Sequence, residues 1–364
     1  MESQSPSVAS AVQALAVRRI AQAGGWLPFD QYMALALYAP GLGYYANASR
    51  KFGTMPQSGS DFVTAPEMSP LYGRAVAVAL RDAMEATQVR DVWEFGAGSG
   101  ALAEQLLDAL GKSVGRYTIV ELSASLRGRQ EQRLARHGAR VRWVSELPER
   151  IEGVVVGNEV LDAMPVKLLR RTGGAWHERG VVLQDGSLLF ADRPTEFRPP
   201  VEIPGGHDYE TEIHQQAQAF LCTLADRLVR GAAFFIDYGF PESEYYHPQR
   251  HMGTLMCHRG HRADPDPLVL PGEKDITAHI DFTGMAVAAQ EAGLPTLGYT
   301  TQARFLINCG IVTMMAEADL AGRTAAQRLL AEHEMGELFK VLAFHRGPFW
   351  NAIGFREGDR THTL

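Results

Sequence analysis

A doubly wound α/β sheet, parallel and covered by helices on both faces, is the fold that this 364-residue chain predicts. Three observations lead there. From residue 89 onward short apolar runs alternate with stretches of helical spacing, and parallel neighbours need such helical crossovers between them. Where the first run ends, Gly96-Ala97-Gly98-Ser99-Gly100 marks a sharp turn from strand to helix. Farther on, Asn158, Glu159 and Asp162 fall just past another apolar run, where open α/β sheets bind ligands.

Taken in order, residues 1–88 read as mostly helical, with Val8, Val12, Leu15 and Ile20 close to helical spacing. A loop rich in Gly and Pro interrupts them between Ala39 and Glu67. Candidate strands follow at 89–95, 116–121, 139–144, 153–157 and 232–238, with helices at 101–110 and 125–137. Between the fourth and fifth strands, 166–171, 175–183 and 187–191 alternate polar and apolar and are separated by Gly173-Gly174 and Asp185-Gly186, the pattern of an antiparallel meander. A helix near 212–230 returns the chain to the sheet. A long polar loop then runs to about residue 275, helices fill much of 277–336, and 338–345 with 349–355 supply edge strands. The expected organisation is an N-terminal helical lid over 1–88, a nucleotide-binding core from 89–165 and 231–355, and an inserted antiparallel and helical substrate region over 166–230.

Length and charge narrow the class. A single core stops growing near about 250–300 residues, so one enlarged domain or two sharing an interface is expected. With 46% apolar and 21% charged residues, whole-chain disorder, collagen and coiled coil are excluded. The net charge of -7, from 42 acids against 35 bases, leaves no overall basic field for nucleic acid or anionic lipid. No apolar run approaches the ~20 residues of a membrane span. The N-terminal segment lacks a hydrophobic signal core, and Cys222, Cys257 and Cys309 form no CxxC pair, so a reducing, cytoplasmic setting is expected.

The glycine turn admits two nucleotide readings. Gly96, Gly98 and Ala101 satisfy the dinucleotide fingerprint GxGxx(G/A). Gly96, Gly98 and Gly100, preceded by Glu94, satisfy the ExGxGxG of S-adenosylmethionine enzymes, whose ligand carries a cationic amino acid. Glu121, at the end of the second strand, suits ribose hydroxyls in either class. After the fourth strand, Asn158 and Glu159 face the ligand and Asp162 stands near the start of a helix. Asn158 is not followed by Pro-Pro-Tyr, the pattern of enzymes that methylate amino groups of nucleic acids.

Six ordered blocks carry a resemblance across roughly 25–345. They are Ala36-Leu37-Tyr38-Ala39-Pro40 with Gly43-Tyr44-Tyr45; Asp61-Phe62-Val63-Thr64-Ala65-Pro66-Glu67; Gly96–Gly100 with Val120-Glu121-Leu122-Ser123; Asn158-Glu159 with Asp162-Ala163-Met164-Pro165; Ile236-Asp237-Tyr238-Gly239; and Asp275-Ile276-Thr277-Ala278-His279-Ile280-Asp281-Phe282. Together they resemble the MidA-like S-adenosylmethionine-dependent methyltransferases, a family that includes the mitochondrial complex I assembly factor that methylates arginine. Ser60, between Gly59 and Asp61, departs from the family's Gly-Asp-Phe. The resemblance implies a class I methyltransferase (Rossmann-like) sheet with S-adenosylmethionine held by Glu94, Gly96, Ala97, Gly98, Gly100, Glu121, Leu122 and Asn158. Asp61, Phe62, Thr64 and Glu67 would close over it from the N-terminal segment. It also implies a protein acceptor, arginine first, and a complex I subunit as partner.

Methyl transfer is an in-line displacement, and alignment alone supplies roughly 7–11 kcal/mol. A guanidinium is planar and always charged, so it needs carboxylates that hold it bidentately. Glu159 and Asp162 are the candidates, with Asp281 third; His279 beside Asp281 would orient the acceptor, act as a base, or simply begin a capped helix. His247, His251, Cys257, His258 and His261 crowd one loop at spacings of no standard zinc site and read as a polar substrate-side loop without metal. The Arg-rich stretch 127–142 reads as a solvated helix face. Two other functions remain: a nicotinamide-dependent oxidoreductase, and a non-catalytic assembly chaperone on the same fold.

Overall fold

The computed structural model describes residues 7–47 and 63–364. Its main sheet contains β1 (Val92–Phe95), β2 (Tyr117–Val120), β3 (Val141–Val144), β4 (Ile151–Asn158), β5 (Leu228–Phe240), β6 (Thr296–Thr301) and β7 (Phe339–Arg346), in the order β6-β7-β5-β4-β1-β2-β3. The strands β1 to β5 run parallel, and β7 lies antiparallel between β5 and β6. Phe95, Gly157 and Phe235 share one register line, so the chain leaves β1, β4 and β5 side by side at a common edge. That edge carries the functional residues.

Both faces of the sheet are buried, which is why its strands read as continuous apolar runs. On one face Val154, Val156, Phe234 and Val341 pack under helices Pro70–Thr87 and Ala101–Leu110. On the other, Trp93, Val155, Phe235 and Leu342 pack under helices Gln215–Arg227 and Phe282–Glu291. The inserted meander forms strands Lys167–Thr172, Ala175–Gln184 and Ser187–Pro194. The N-terminal segment joins it: Leu27–Pro28 pairs antiparallel with Ala175–Gln184, and Phe29, Tyr32 and Leu37 share a core with Val166, Leu168 and Val181.

Several expected elements differ. The helix expected over 212–230 spans only Gln215–Arg227, because Tyr209–Ile213 pairs with Lys167–Thr172 and Leu228 already begins β5. The expected polar loop to residue 275 holds the short helix Glu242–Tyr245 and a three-stranded sheet of Met256–Arg259, Arg262–Asp264 and Asp275–Thr277. The stretch 338–345 is an inner strand, and 349–355 forms no strand. The edge is β6, hidden in sequence among helices. Its Gly298 leaves room for the Phe355 ring, which a Cβ there would meet at 2.3 Å, so 349–355 covers the sheet instead of extending it. Cys222, Cys257 and Cys309 are all free thiols, and among the described residues no helix is long and apolar enough to cross a membrane.

Candidate active site

Along the common edge lies a cavity of about 1700 Å³ whose wall brings together the glycine turn, Glu121, Asn158, Glu159, Asp162 and His279. Its first part is built from backbone. Gly96, Gly98 and Gly100 have φ of 62°, 52° and 80°, a left-handed region that favours glycine. A Cβ on Gly96 would also stand 2.8 Å from Val160 Cγ2. The turn opens into the helix Ala101–Leu110, whose N-cap Gly100 provides no side-chain cap.

At the end of β2, Glu121 Oε1 accepts from the Ser123 N–H at 2.8 Å and Oε2 accepts from Gln130 Nε2 at 2.9 Å. Burial raises its pKa, and those donors oppose the rise. Leu122 beside it is 77% exposed and offers an apolar face to the cavity. Glu94 sits deeper, fully desolvated beneath the Tyr117 hydroxyl, which donates to it at 2.6 Å; burial pushes its pKa up to about 8.

Gln130 was invisible in the sequence. It is wholly buried inside the Arg-rich stretch, donates to Gly98 O and Glu121, and accepts from Trp143 Nε1. That stretch is therefore not simply a solvated face. Arg133 donates to Glu104 at 2.8 Å and to Glu67 at 3.0 Å. Glu67 does not line the cavity; it accepts from Ser99 and Arg133, tying the helical turn Ala65–Met68 to the glycine turn. Thr64 does line the cavity, whereas Asp61 and Phe62 lie outside the described residues.

The second part is built from side chains. Asn158 accepts from the Tyr72 hydroxyl and donates to Glu159 Oε1 at 2.9 Å. Glu159 opens partly to the cavity but is walled by protein on its other sides. Burial, then the charge of Asp162, pushes its pKa up to about 8. Asp162, buried, is raised to about 6 by desolvation, against a hydrogen bond from Tyr238. No helix follows it: residues 159–166 form a loop with a turn at 162–163, so the helix start expected near Asp162 is absent. Asp162 Oδ1 has no hydrogen-bond partner.

Asp237, a further residue to which the sequence assigned no role, sits beneath this loop and accepts N–H groups from Val160, Leu161, Asp162 and Tyr238. Asp275 joins the wall, accepting from Tyr45 at 2.8 Å; Tyr38, which stacks on Tyr45, donates to Ala163 O.

The remaining candidates separate. Asp281 lies outside the cavity wall and caps the helix Phe282–Glu291, accepting from the Gly284 N–H at 3.0 Å. His279 lines the cavity with its ring edge-on to Tyr238; burial, then Arg250 and Lys340, lower its pKa to about 4, so it is neutral. Of the histidine-bearing loop, His258 reaches the wall. Among the described residues no group of three or more His, Cys, Asp or Glu gathers as a metal site.

The first part fits S-adenosylmethionine on its own terms: a side-chain-free turn for close backbone approach, a carboxylate at the end of β2 for the ribose, and buried Glu94 toward a cationic ligand. Strand order, the antiparallel β7 and this turn define a class I methyltransferase architecture.

The family follows from comparison. Residues 73–300 match the family model described as a putative S-adenosyl-L-methionine-dependent methyltransferase, and the chain belongs to that family, as the MidA-like resemblance implied. A structure from Burkholderia thailandensis, described as a likely methyl transferase bound to S-adenosyl-homocysteine, is 49% identical and superposes with a TM-score of 0.94 over 99% of this chain and 100% of that one. Curated relatives called protein arginine methyltransferase NDUFAF7, mitochondrial (or its homolog), are more distant. That of Danio rerio is 28% identical over 80% of this chain and 75% of its own, and that of Caenorhabditis elegans 26% over 79% and 74%. Family membership sets aside the nicotinamide reading of Gly96, Gly98 and Ala101.

Proposed function

We propose that this methyltransferase modifies an arginine side chain of a protein. The observation that carries the reading is the pair of crowded carboxylates, half-buried Glu159 and buried Asp162, in the same cavity as the glycine turn. Two carboxylates crowded by burial and by each other are held partly protonated; a planar cation entering between them relieves the repulsion and lets them ionise. Tyr38, Tyr45 and Tyr238 wall this space and favour a flat cationic group.

Bound S-adenosylmethionine supplies an electrophilic methyl group. Glu159 and Asp162 orient the guanidinium so that one nitrogen faces it. The nitrogen that gains the methyl loses a proton, and Asp162 Oδ1, unpaired in the buried wall, accepts it. Neutral His279 borders the acceptor without repelling a cation. The arginine methyltransferase names of the curated relatives support this acceptor, and we extend the proposal to a respiratory complex I subunit in the cytoplasm or on its membrane face.

Incubating the protein with methyl-tritiated S-adenosylmethionine and desalted cell extract, then hydrolysing the labelled protein, tests the reading. Label in methylarginine is expected. Label confined to another amino acid, to nucleic acid or to small molecules would overturn it, and no label at all would favour the assembly-chaperone reading.

A further inference from the structure

We propose that Asp237 is a positioning residue: by gathering the N–H groups of Val160, Leu161 and Asp162 onto one carboxylate oxygen, it aims Glu159 and Asp162 at the acceptor. The inference rests on the arginine reading for what is aimed at, but its geometry stands apart from it. Oδ2 accepts the three amides at 3.2, 2.9 and 3.2 Å, while Oδ1 accepts the Tyr238 N–H at 3.0 Å. The side chain is 1% exposed and does not line the cavity, so it acts through its neighbours.

What it holds is an improbable piece of backbone. Glu159 has φ of 54°, a region non-glycine residues rarely adopt, and its own N–H is taken by Ile236 O at 2.9 Å. Consecutive amides pointing at one spot form a concave site for an acceptor, and here the acceptor is a carboxyl oxygen of the chain itself. Without it the loop would relax from the left-handed turn, and both carboxylates would lose their direction.

Acids also crowd it: burial, then Asp162 and Glu159, hold its pKa well above the usual carboxylate range. Around it stand Glu159 and Asp162 from the loop, Tyr238 from its own strand, Tyr72 from the helix Pro70–Thr87, and, farther out against Glu159, Asp275. Lys340, opposite on β7, does not neutralise it; its ammonium turns to the carbonyls of Glu337 and Leu338. Acids gathered in one buried spot titrate as a set, so removing one eases the ionisation of those left.

The experiment uses Asp237→Asn in the full chain. N-acetyl-L-arginine methylamide is titrated calorimetrically into protein saturated with S-adenosylhomocysteine across pH 5.5–9, and amide exchange of residues 160–162 is followed by NMR. The expected result is arginine-probe affinity weakened at least about tenfold, S-adenosylhomocysteine affinity within about threefold, faster exchange of the three amides, and a binding midpoint moved to lower pH. A merely structural role would leave that midpoint in place. Unchanged exchange and unchanged probe binding would overturn the proposal. Should the variant not fold, wild-type exchange decides: amides at 160–162 protected like those of β4 support it, and amides exchanging like an open loop overturn it. If wild-type protein ignores the arginine probe, the arginine reading fails, while the exchange data still judge the positioning.

Discussion

The two ends of the cavity are made by opposite means. The cofactor end is backbone: three glycines with positive φ within five residues, and one carboxylate at the end of the next strand. The acceptor end is side chain, drawn from residues 38–45, 158–162, 237–238 and 275–279, with acids held together against their charge. A backbone cradle tolerates many neighbours and fails when a Cβ is added. A buried acid cluster tolerates small changes of shape and fails when one charge is removed.

Changes at each end should therefore be separable. The largest effect is expected from Glu159→Gln, which keeps volume and removes charge: turnover of an arginine acceptor falls by roughly 10²–10³-fold, while S-adenosylhomocysteine affinity measured by calorimetry stays within a few-fold. Wild-type turnover in that variant would break the division. Gly96→Ala is the mirror experiment. Strain at φ 62° and the contact with Val160 weaken S-adenosylhomocysteine binding by about tenfold or more, and the defect tracks the cofactor concentration.

The acid cluster also predicts a pH dependence of stability in the ligand-free protein. Glu94 and Glu159, at about 8, and Asp162, at about 6, bind protons more tightly folded than unfolded. Their stabilisation is present at low pH and is lost as pH rises from the usual carboxylate range toward about 8. Melting temperature should fall between pH 6 and pH 8.5, and Glu159→Gln should flatten the fall; an unchanged slope would remove Glu159 from the cluster. The smallest effect is at the junction of the two ends. Arg133→Ala removes half-exposed pairs with Glu67 and Glu104, costing at most about 1 kcal/mol in denaturant unfolding, with cofactor affinity reduced a few-fold.

Legibility followed the same division. The parallel strands β1 to β5, the helix Ala101–Leu110 and the glycine turn were readable because each is a local pattern of apolar runs, crossover lengths and glycines. Asn158, Glu159 and Asp162 could be placed because they follow a strand directly. Gln130 and Asp237 could not be assigned roles: one hides among arginines and the other works through amides of a loop that precedes it by some 75 residues. β6 was missed because its Thr-rich stretch lies between helices and its partner β7 comes later in the chain. Asp281 read both as a third candidate acid and, with Thr277, as a candidate helix cap, and the fold decides for the cap, with the Gly284 N–H donating to it.

The pairing of Leu27–Pro28 with Ala175–Gln184 has a consequence for synthesis. Phe29, Tyr32 and Leu37 emerge from the ribosome early, but Val166, Leu168 and Val181, which cover them, follow well over a hundred residues later. At about 5–20 residues per second, that apolar helix face waits roughly 6–30 s for its partners. During that time it is exposed to other nascent chains, so the first forty residues are where holding chaperones would be needed most.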